Sequence, residues 1–425
     1  MKIKVKELPY SEVVKKKRKY QPPVMPSKVI RKLAVAISKM QLKKVHFEYD
    51  EIDMDKLSAD EPCLVLMNHS SFIDLMIAET IFADRPLSII CTSDGLVGKE
   101  GLMRKVGCIP TNKFVTDIQL VKDMKYALTK LNSSILMYPE ASYTFDGTAT
   151  PLPKSIGKCI KMLKVPVVII RTYGAFLRDP LYNNLQVRDT DVTAKVTYAI
   201  SPAGIASMSA DEIQKIVEEY FDFDNFRDQQ QKGIIIDEPF RADYLNRVLY
   251  KCPHCMTEGK MIGKGIHLTC TNCQVQYTLT ENGFLEISND QSIKPAFTHI
   301  PDWYKWERQE VKKELENSSY MLDLDVEIYM LIDLNSLYKV GDGHLHHDNN
   351  GFTLTGCNNQ LNYYQGPSVS YSLYSDYYWY EIGDMVCIGD MNALYYCFPK
   401  NKEIDIAAKT RLATEELFKL NRINN

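Results

Sequence analysis

Between residues 46 and 225 short apolar runs alternate with amphipathic stretches, and this alternation restricts the possible folds more than any other feature of the chain. The runs CLVLMN (63–68), LSIICT (87–92), SILMYP (134–139) and VPVVIIRTYG (165–174) have the length and unbroken hydrophobicity of strands buried on both faces. Between them, FIDLMIAETIF (72–82) and TDIQLVKDMKYALTKL (116–131) carry apolar residues at helical spacing. Strand and helix in alternation predict a mixed, largely parallel sheet flanked by helices. A sheet of that kind offers its ligand chemistry at the carboxyl ends of its strands.

Further along, the pattern changes twice. Cys252, Cys255, Cys270 and Cys273 form two CxxC knuckles separated by 14 residues. Four thiolates at that spacing close a tetrahedral site and suit zinc, with iron as the alternative for the same sulfur set. A closed four-cysteine shell has no open position, so the expected role is structural, and His254 and His267 fall outside the shell. After a polar helix at 301–317, residues 320–400 alternate in VEIYMLI, FTLTG, QLNYY, SVSYSLY, YYWYEI, MVCIG and ALYYCF. That is the pattern of an antiparallel sheet, and an amphipathic helix at 403–421 closes it. The expected organisation is a basic arm and amphipathic helix at 1–45, an α/β domain at 46–240, a zinc ribbon at 250–285 and a β-rich domain at 300–425.

Net charge conceals an asymmetry. Residues 1–47 hold 14 Lys/Arg against Glu7 and Glu12, a balance of +12, so the other 378 residues carry −15 of the total −3. The run KKKRK (15–19) and three prolines that follow it describe a polar arm. From 28 to 45 Val29, Ile30, Leu33, Ile37 and Met40 fall near helical spacing among lysines, which fits either a membrane-surface helix or a helix packed on its own domain. No run reaches the roughly 18–20 apolar residues that a spanning helix needs, and the lysine-studded start has no signal-peptide core. The expectation is a protein of the cytoplasm, held peripherally on the cytoplasmic face of a membrane. Three lysines in the ribbon are too thin a basic surface for nucleic acid, which is not expected as a partner.

In LVLMNHSSFIDLM, Asn68, His69 and Asp74 lie where a strand gives way to a helix. A carboxylate five positions on can hold one imidazole nitrogen protonated and leave the other to accept a proton from an alcohol. The same residues also suit a satisfied turn histidine and a helix-start acid.

Four blocks in order resolve the choice. NHSSFID resembles the His-four-residues-Asp motif of the glycerolipid acyltransferases, the glycerol-3-phosphate and lysophosphatidate acyltransferase family. GKEGLMRKVGCIPTNK (98–113), MYPEASYT (137–144) and VPVVIIRTYG resemble that family's later blocks. The resemblance covers about residues 28–225 and implies an α/β acyltransferase domain. It makes His69 the general base, Asp74 the group that orients it, and Glu140 a residue that binds or aligns the acceptor. Asn68, Lys113, Ser142 and Tyr143 complete the implied substrate-binding set. Where the family carries Gly-Thr-Arg after the glutamate, this chain has Ala141, Ser142 and Tyr143, so the phosphate-binding arginine is replaced by a tyrosine that cannot form a charged bidentate clamp.

The resemblance therefore implies an O-acyltransferase that takes a fatty acyl group from acyl-CoA or acyl carrier protein to a lysophospholipid or glycerol-3-phosphate-like acceptor. The altered block leaves an alternative, a catalytically impaired membrane- or lipid-binding scaffold with a structural zinc ribbon. Strands closed by one helix at the carboxyl end resemble a pleckstrin-homology-like roll. Two further clusters are open at this level. GHLHHD (343–348) reads as a polar hairpin loop or, through His344 and His346, a metal site. The aromatics at 371–380 suit a sheet core or a membrane-interface belt.

Overall fold

A computed structural model describes residues 2–290, 292–402 and 404–423. Glu403, the expected start of the closing helix, lies outside the described residues, as do the last two positions of the expected 300–425 domain. The chain forms two compact units, residues 20–179 with 187–228, and residues 1–19 with 180–186 and 229–425. A short strand, β1 (Val5–Glu7), and one helical turn, α1 (Tyr10–Val13), open the chain and belong to the second unit.

The first unit begins with α2 (Lys28–Leu42) and continues as β2 (Glu48–Ile52), β3 (Leu64–Met67), α3 (Asp74–Ile81), β4 (Leu87–Thr92), α4 (Glu100–Val106), β5 (Cys108–Thr111), α5 (Ile118–Lys130), β6 (Ser134–Met137), α6 (Ile156–Leu163), β7 (Val167–Tyr173), α7 (Ala175–Arg178), β8 (Thr193–Ile200), α8 (Pro202–Ser207) and α9 (Ala210–Tyr220). Its seven strands lie in the order β2-β8-β7-β3-β6-β4-β5. From β7 to β5 neighbours are parallel, while β8 runs antiparallel to β7 and parallel to β2. The mixed, largely parallel sheet predicted from the sequence is present. Its three shorter-signalled strands β2, β5 and β8 had no apolar run long enough to mark them.

Buried residues of the central strands, among them Leu64, Leu66, Ile135, Val167 and Ile169, pack with Met124 and Leu128 of α5, Ile156 and Ile160 of α6 and Ile213 and Val217 of α9. The α6–α9 contact depends on a missing side chain. A Cβ at Gly157 would lie 1.9 Å from the carbonyl oxygen of Ala210, a backbone atom that cannot step aside. Gly157→Ala is therefore expected to lower stability by about 1–3 kcal/mol, the usual cost of overpacking, visible as a lower midpoint in thermal or urea unfolding.

An intermediate helix, α10 (Asn225–Lys232), leads into the second unit. There β9 (Met261–Lys264), β10 (His267–Cys270), β11 (Gln276–Leu279) and β12 (Leu285–Ile287) form a four-stranded antiparallel sheet in the order β12-β11-β10-β9. After α11 (Ile300–Glu316) come β13 (Leu322–Leu331), β14 (Leu337–Asp348), β15 (Gly351–Gly356), β16 (Leu361–Gln365), β17 (Tyr374–Trp379), β18 (Gly383–Gly389), β19 (Leu394–Pro399) and α12 (Ala407–Ile423). These strands run in the order β16-β15-β14-β13-β19-β18-β17, all neighbours antiparallel. The β-rich carboxyl-terminal region expected from the alternation is thus present, followed by a helix.

Two sequence expectations change here. The polar arm is partly ordered: β1 pairs in parallel with the start of β14, Val5 opposite Leu337, and Val13 is fully buried in the core of this sheet. β15 covers β14 only from Gly343 to Asp348, and β1 pairs with its earlier residues instead, which satisfies edge groups that would otherwise be open. GHLHHD is not a hairpin loop but the end of β14.

The aromatic segment falls to the sheet core. Tyr374, Tyr377 and Trp379 are buried, and Trp379 stacks on Tyr396 with centroids 4.5 Å apart while its indole N–H donates to the Tyr374 hydroxyl at 2.7 Å. Of the described helices none is long and apolar enough to cross a membrane.

Candidate active site and candidate metal centre

β3 lies between β7 and β6, so the loops leaving those three parallel strands emerge side by side. That topology brings together residues 68–74, 138–143 and 172–179. Asn68 is 1% exposed and is used to join two of these strands. Its Oδ1 accepts from the Thr172 N–H at 2.8 Å and the Thr172 hydroxyl at 3.2 Å, and its Nδ2 donates to Ser70 Oγ at 3.1 Å.

His69 follows, with Nδ1 3.0 Å from Asp74 Oδ2. A carboxylate only accepts, so Nδ1 carries the proton and Nε2 presents its lone pair. Nε2 has no hydrogen-bond partner among the described residues. Asp74 is fully buried, and the same Oδ2 also accepts the N–H groups of Ser70 at 2.7 Å and Ser71 at 2.9 Å. The backbone turn thereby fixes the carboxylate before it meets the imidazole. Burial pushes the His69 pKa below its ordinary value; the Asp74 carboxylate acts in the opposite direction, and the Lys113 ammonium adds to the lowering.

Aromatic rings cover both faces of the imidazole. Tyr138 stacks at 4.2 Å between centroids and Tyr143 at 4.0 Å, with interplanar angles of 25° and 27°. Phe72, half exposed, adjoins Tyr143 at 5.3 Å. Only the edges of the His69 ring are left for a reacting hydroxyl. Tyr138 carries no motif signal apart from its place before Pro139, and the sequence did not mark it.

Glu140 is placed differently from an acceptor-binding group. It is 1% exposed; Oε2 accepts the backbone N–H of His69 at 2.9 Å, and Oε1 accepts the N–H and hydroxyl of Thr150 at 2.9 and 3.1 Å. Both carboxylate oxygens hold protein backbone, and burial raises its pKa to about 7. Ser142 is also buried, with its hydroxyl on the Tyr143 carbonyl at 3.3 Å. Ala141, in the position where the resembling family has glycine, adopts φ +56°, the left-handed conformation that glycine enters without steric cost. Lys113 faces this site electrostatically through its effect on His69.

Residues 50–172 match the family model described as Acyltransferase. The matched segment begins in β2 and ends at Thr172, the partner of Asn68, and it contains His69, Asp74, Tyr138, Glu140 and Tyr143. A human 1-acyl-sn-glycerol-3-phosphate acyltransferase beta is 24% identical over 160 residues, 36% of this chain and 56% of that protein. The chain thus spans little more than half the length of that curated relative. The crystal structure of the 1-acyl-sn-glycerophosphate (LPA) acyltransferase PlsC from Thermotoga maritima aligns with 45% of this chain and 77% of its own, at 17% identity and a TM-score of 0.37.

A second cluster lies in the other unit. The Sγ atoms of Cys252, Cys255, Cys270 and Cys273 all lie within 4.8 Å of one another, with Cys252–Cys273 and Cys255–Cys270 both at 3.7 Å. These separations are far beyond a disulfide bond of about 2.05 Å, and they match the edge of a tetrahedron with metal–sulfur bonds of about 2.3 Å, which is roughly 3.8 Å. The donor set therefore fits a tetrahedral thiophilic ion. Both knuckles are built alike. Met256 N–H donates to the Cys252 carbonyl and Gln274 N–H to the Cys270 carbonyl, each at 2.9 Å, and Met256 and Gln274 share a left-handed φ of 61° and 64°.

Helix α11 supports the first knuckle: buried Glu307 accepts the Lys251 N–H at 2.8 Å, and Trp303 Nε1 donates to the Lys251 carbonyl at 3.0 Å. His254 instead meets the Tyr277 hydroxyl and His267 the Thr278 hydroxyl, outside the sulfur shell.

His344 and His346 do not join such a shell. Among the described residues the cysteine quartet is the group close enough to hold a metal. The two histidines pair with Asp323, Asp325 and Asp348 across β13 and β14, while the neighbouring His347 turns into the core and stacks on Phe352 at 3.7 Å.

Proposed function

We propose that the protein is an O-acyltransferase that moves a fatty acyl group from an acyl thioester, acyl-CoA or acyl carrier protein, to a hydroxyl of a lysophospholipid or glycerol-3-phosphate-like acceptor. The observation that carries this reading is His69 held through Nδ1 by a buried carboxylate, with Nε2 presented at the ring edge. Nε2 takes the acceptor's proton as its oxygen attacks the thioester carbonyl. The tetrahedral intermediate expels the thiolate, and the imidazolium returns the proton to that sulfur. Asp74 stabilises the imidazolium, and Glu140 acts on the reaction by fixing the His69 backbone. Tyr143 and Phe72 supply an apolar wall next to the base.

The test is transfer of a radiolabelled acyl chain from either thioester to a panel of lysophosphatidate, lysophospholipids and glycerol-3-phosphate. Label in any acylated product is the expected result; no transfer to any acceptor, with intact folded protein, overturns the reading.

The acceptor is proposed to be met at a membrane surface, on the cytoplasmic face. Helix α2 docks on its own unit through a polar face: buried Arg31 reaches Glu79 at 3.3 Å, the Phe82 carbonyl at 3.0 Å and the Arg85 carbonyl. The apolar stripe is left outside, with Val29 78% exposed, Leu33 63%, Ile37 46% and Met40 56%. Lys28, Lys32, Lys39, Lys43 and Lys44 flank it, all exposed. An outward apolar stripe between lysines is complementary to an anionic bilayer, at about 1 kcal/mol per basic residue near the surface. None of the eleven cysteines is in a disulfide, which suits a reducing compartment.

Replacing Leu33 and Ile37 with glutamate is expected to abolish co-sedimentation with anionic phospholipid vesicles while leaving the unfolding midpoint within about 0.5 kcal/mol, since neither side chain is in the core. The cysteine cluster is read as a structural zinc site. The central β13, its two flanks of three strands and the closing α12 support a pleckstrin-homology-like reading of the carboxyl-terminal sheet.

A further inference from the structure

Asp179 is a buried carboxylate that no motif marks and that the proposed chemistry does not use. It is 4% exposed and lies at the end of α7, five residues beyond Gly174. Gly174 has φ +79°, and a Cβ there would lie 2.1 Å from the Asp191 carbonyl, so the turn that leaves β7 requires glycine. That turn sends the chain back to the loop after β3. Asp179 Oδ1 accepts the hydroxyl of Ser71 at 2.5 Å, and Oδ2 accepts Arg178 Nη1 at 2.7 Å. Ser71 is 1% exposed, and its Oγ also accepts the Ile73 N–H at 3.3 Å. Its own N–H is one of the two that hold Asp74 Oδ2.

We infer that Asp179 is a positioning residue for the catalytic pair, acting through Ser71 on Asp74 and thence on His69. The inference rests on the acyltransferase reading of that pair. Its physical basis is a continuous series of short contacts, Arg178 to Asp179, Asp179 to Ser71, Ser71 to Asp74, Asp74 to His69, every carboxylate of which is buried. Asp74 cannot move without its N–H donors, and the Ser71 donor is anchored at its side chain by Asp179. A fixed orientation matters because a displacement of about 1 Å at a reacting group costs up to 10²-fold in rate.

The charges that face Asp179 are Arg178 and Asp74, and those that face His69 are Asp74 and Lys113. Burial raises Asp179 to about 7, opposed by the Ser71 hydrogen bond and the Arg178 charge.

The experiment compares Asp179→Ala, Ser71→Ala, their double variant and Asp179→Asn in the full chain, by acyl-transfer kinetics and by NMR titration of the His69 ring. Each alanine variant is expected to lower kcat about ten-fold with acceptor KM within about two-fold, because ground-state binding is not altered. The double variant is expected to lose no more than either single one, since the two residues form one connection. Asp179→Asn recovers most of the rate because its Oδ1 still accepts from Ser71. Loosening Asp74 weakens what holds the His69 proton, so the His69 midpoint and the acid limb of kcat/KM are expected at lower pH in both alanine variants.

An unchanged kcat and unchanged His69 midpoint in Asp179→Ala overturn the inference, as does a double variant whose loss is the product, about 100-fold. If Asp179→Ala does not fold, Ser71→Ala and Asp179→Asn decide the question by the same criteria. Wild-type protein without acyl transfer would defeat the functional reading instead, and the His69 titration would still report on the positioning.

Discussion

His69→Ala is expected to lower the rate of acyl transfer by roughly 10²–10⁴, the usual contribution of a positioned general base, with little change in thermal stability. The loss should be confined to kcat, because the imidazole acts on the proton that moves and not on the acyl chain. Asn68 and Asp74 keep the loop through Thr172 and through the Ser70 and Ser71 N–H groups, so the variant retains its scaffold. Measurement of kcat and KM at saturating thioester tests this; a loss of less than about five-fold would remove His69 from the chemistry.

The pH dependence follows from the same environment. A general base works only when neutral. Burial shifts His69 downward, so its neutral form persists to lower pH than for an ordinary histidine. The acid limb that belongs to His69 is therefore expected below 6.5, separate from any limb near 7 where Glu140 and Asp179 take up protons, and a His69 midpoint above 6.5 in an NMR titration would contradict this environment.

The second large effect concerns the four cysteines. The purified protein is expected to carry one zinc ion per chain, and exhaustive chelation or Cys252→Ser to unfold the ribbon and lower the first unfolding midpoint by many degrees. Structural zinc sites in small domains bind with about 10–16 kcal/mol of free energy, and that binding is folding energy. The four-stranded sheet that carries Cys270 has few buried residues of its own, chiefly Met261, Leu268, Tyr277, Leu279 and Leu285. Elemental analysis with and without chelator, alongside circular dichroism, decides the matter. Iron in place of zinc would correct the ion and not the fold; a metal-free protein with the same midpoint would show that packing alone holds the knuckles.

Several features of the site were legible because they depend on short stretches of chain. His69 and Asp74 sit five residues apart across a strand end, and the cysteine spacing needs only two tight turns. Glu140 was marked by its block, yet its function in the fold was not. Both its oxygens hold backbone of residues that the sheet order places nearby, 10 and 71 positions away. Tyr138 and Tyr143 cover the two faces of His69 only because β6 lies next to β3.

For α2 the sequence left two orientations open, since an apolar stripe ordinarily faces inward. The tertiary structure reverses this by burying Arg31 against Glu79 on α3, and no local pattern encodes a partner 48 residues away. The GHLHHD segment likewise read as a polar loop because three histidines and an aspartate crowd into six residues. Only the pairing with β13 shows that these charges satisfy each other across a strand.

What the sequence by itself determined are the quantities set by local chemistry: the alternation that makes a largely parallel sheet, the His69–Asp74 spacing, the thiol quartet and the change to an antiparallel pattern near residue 320. What only the tertiary structure decided is which distant groups meet: Asp179 with Ser71, Arg31 with Glu79, β1 with β14. These depend on strand order and crossover, which arise from burial summed over the whole chain and leave no mark at any single position.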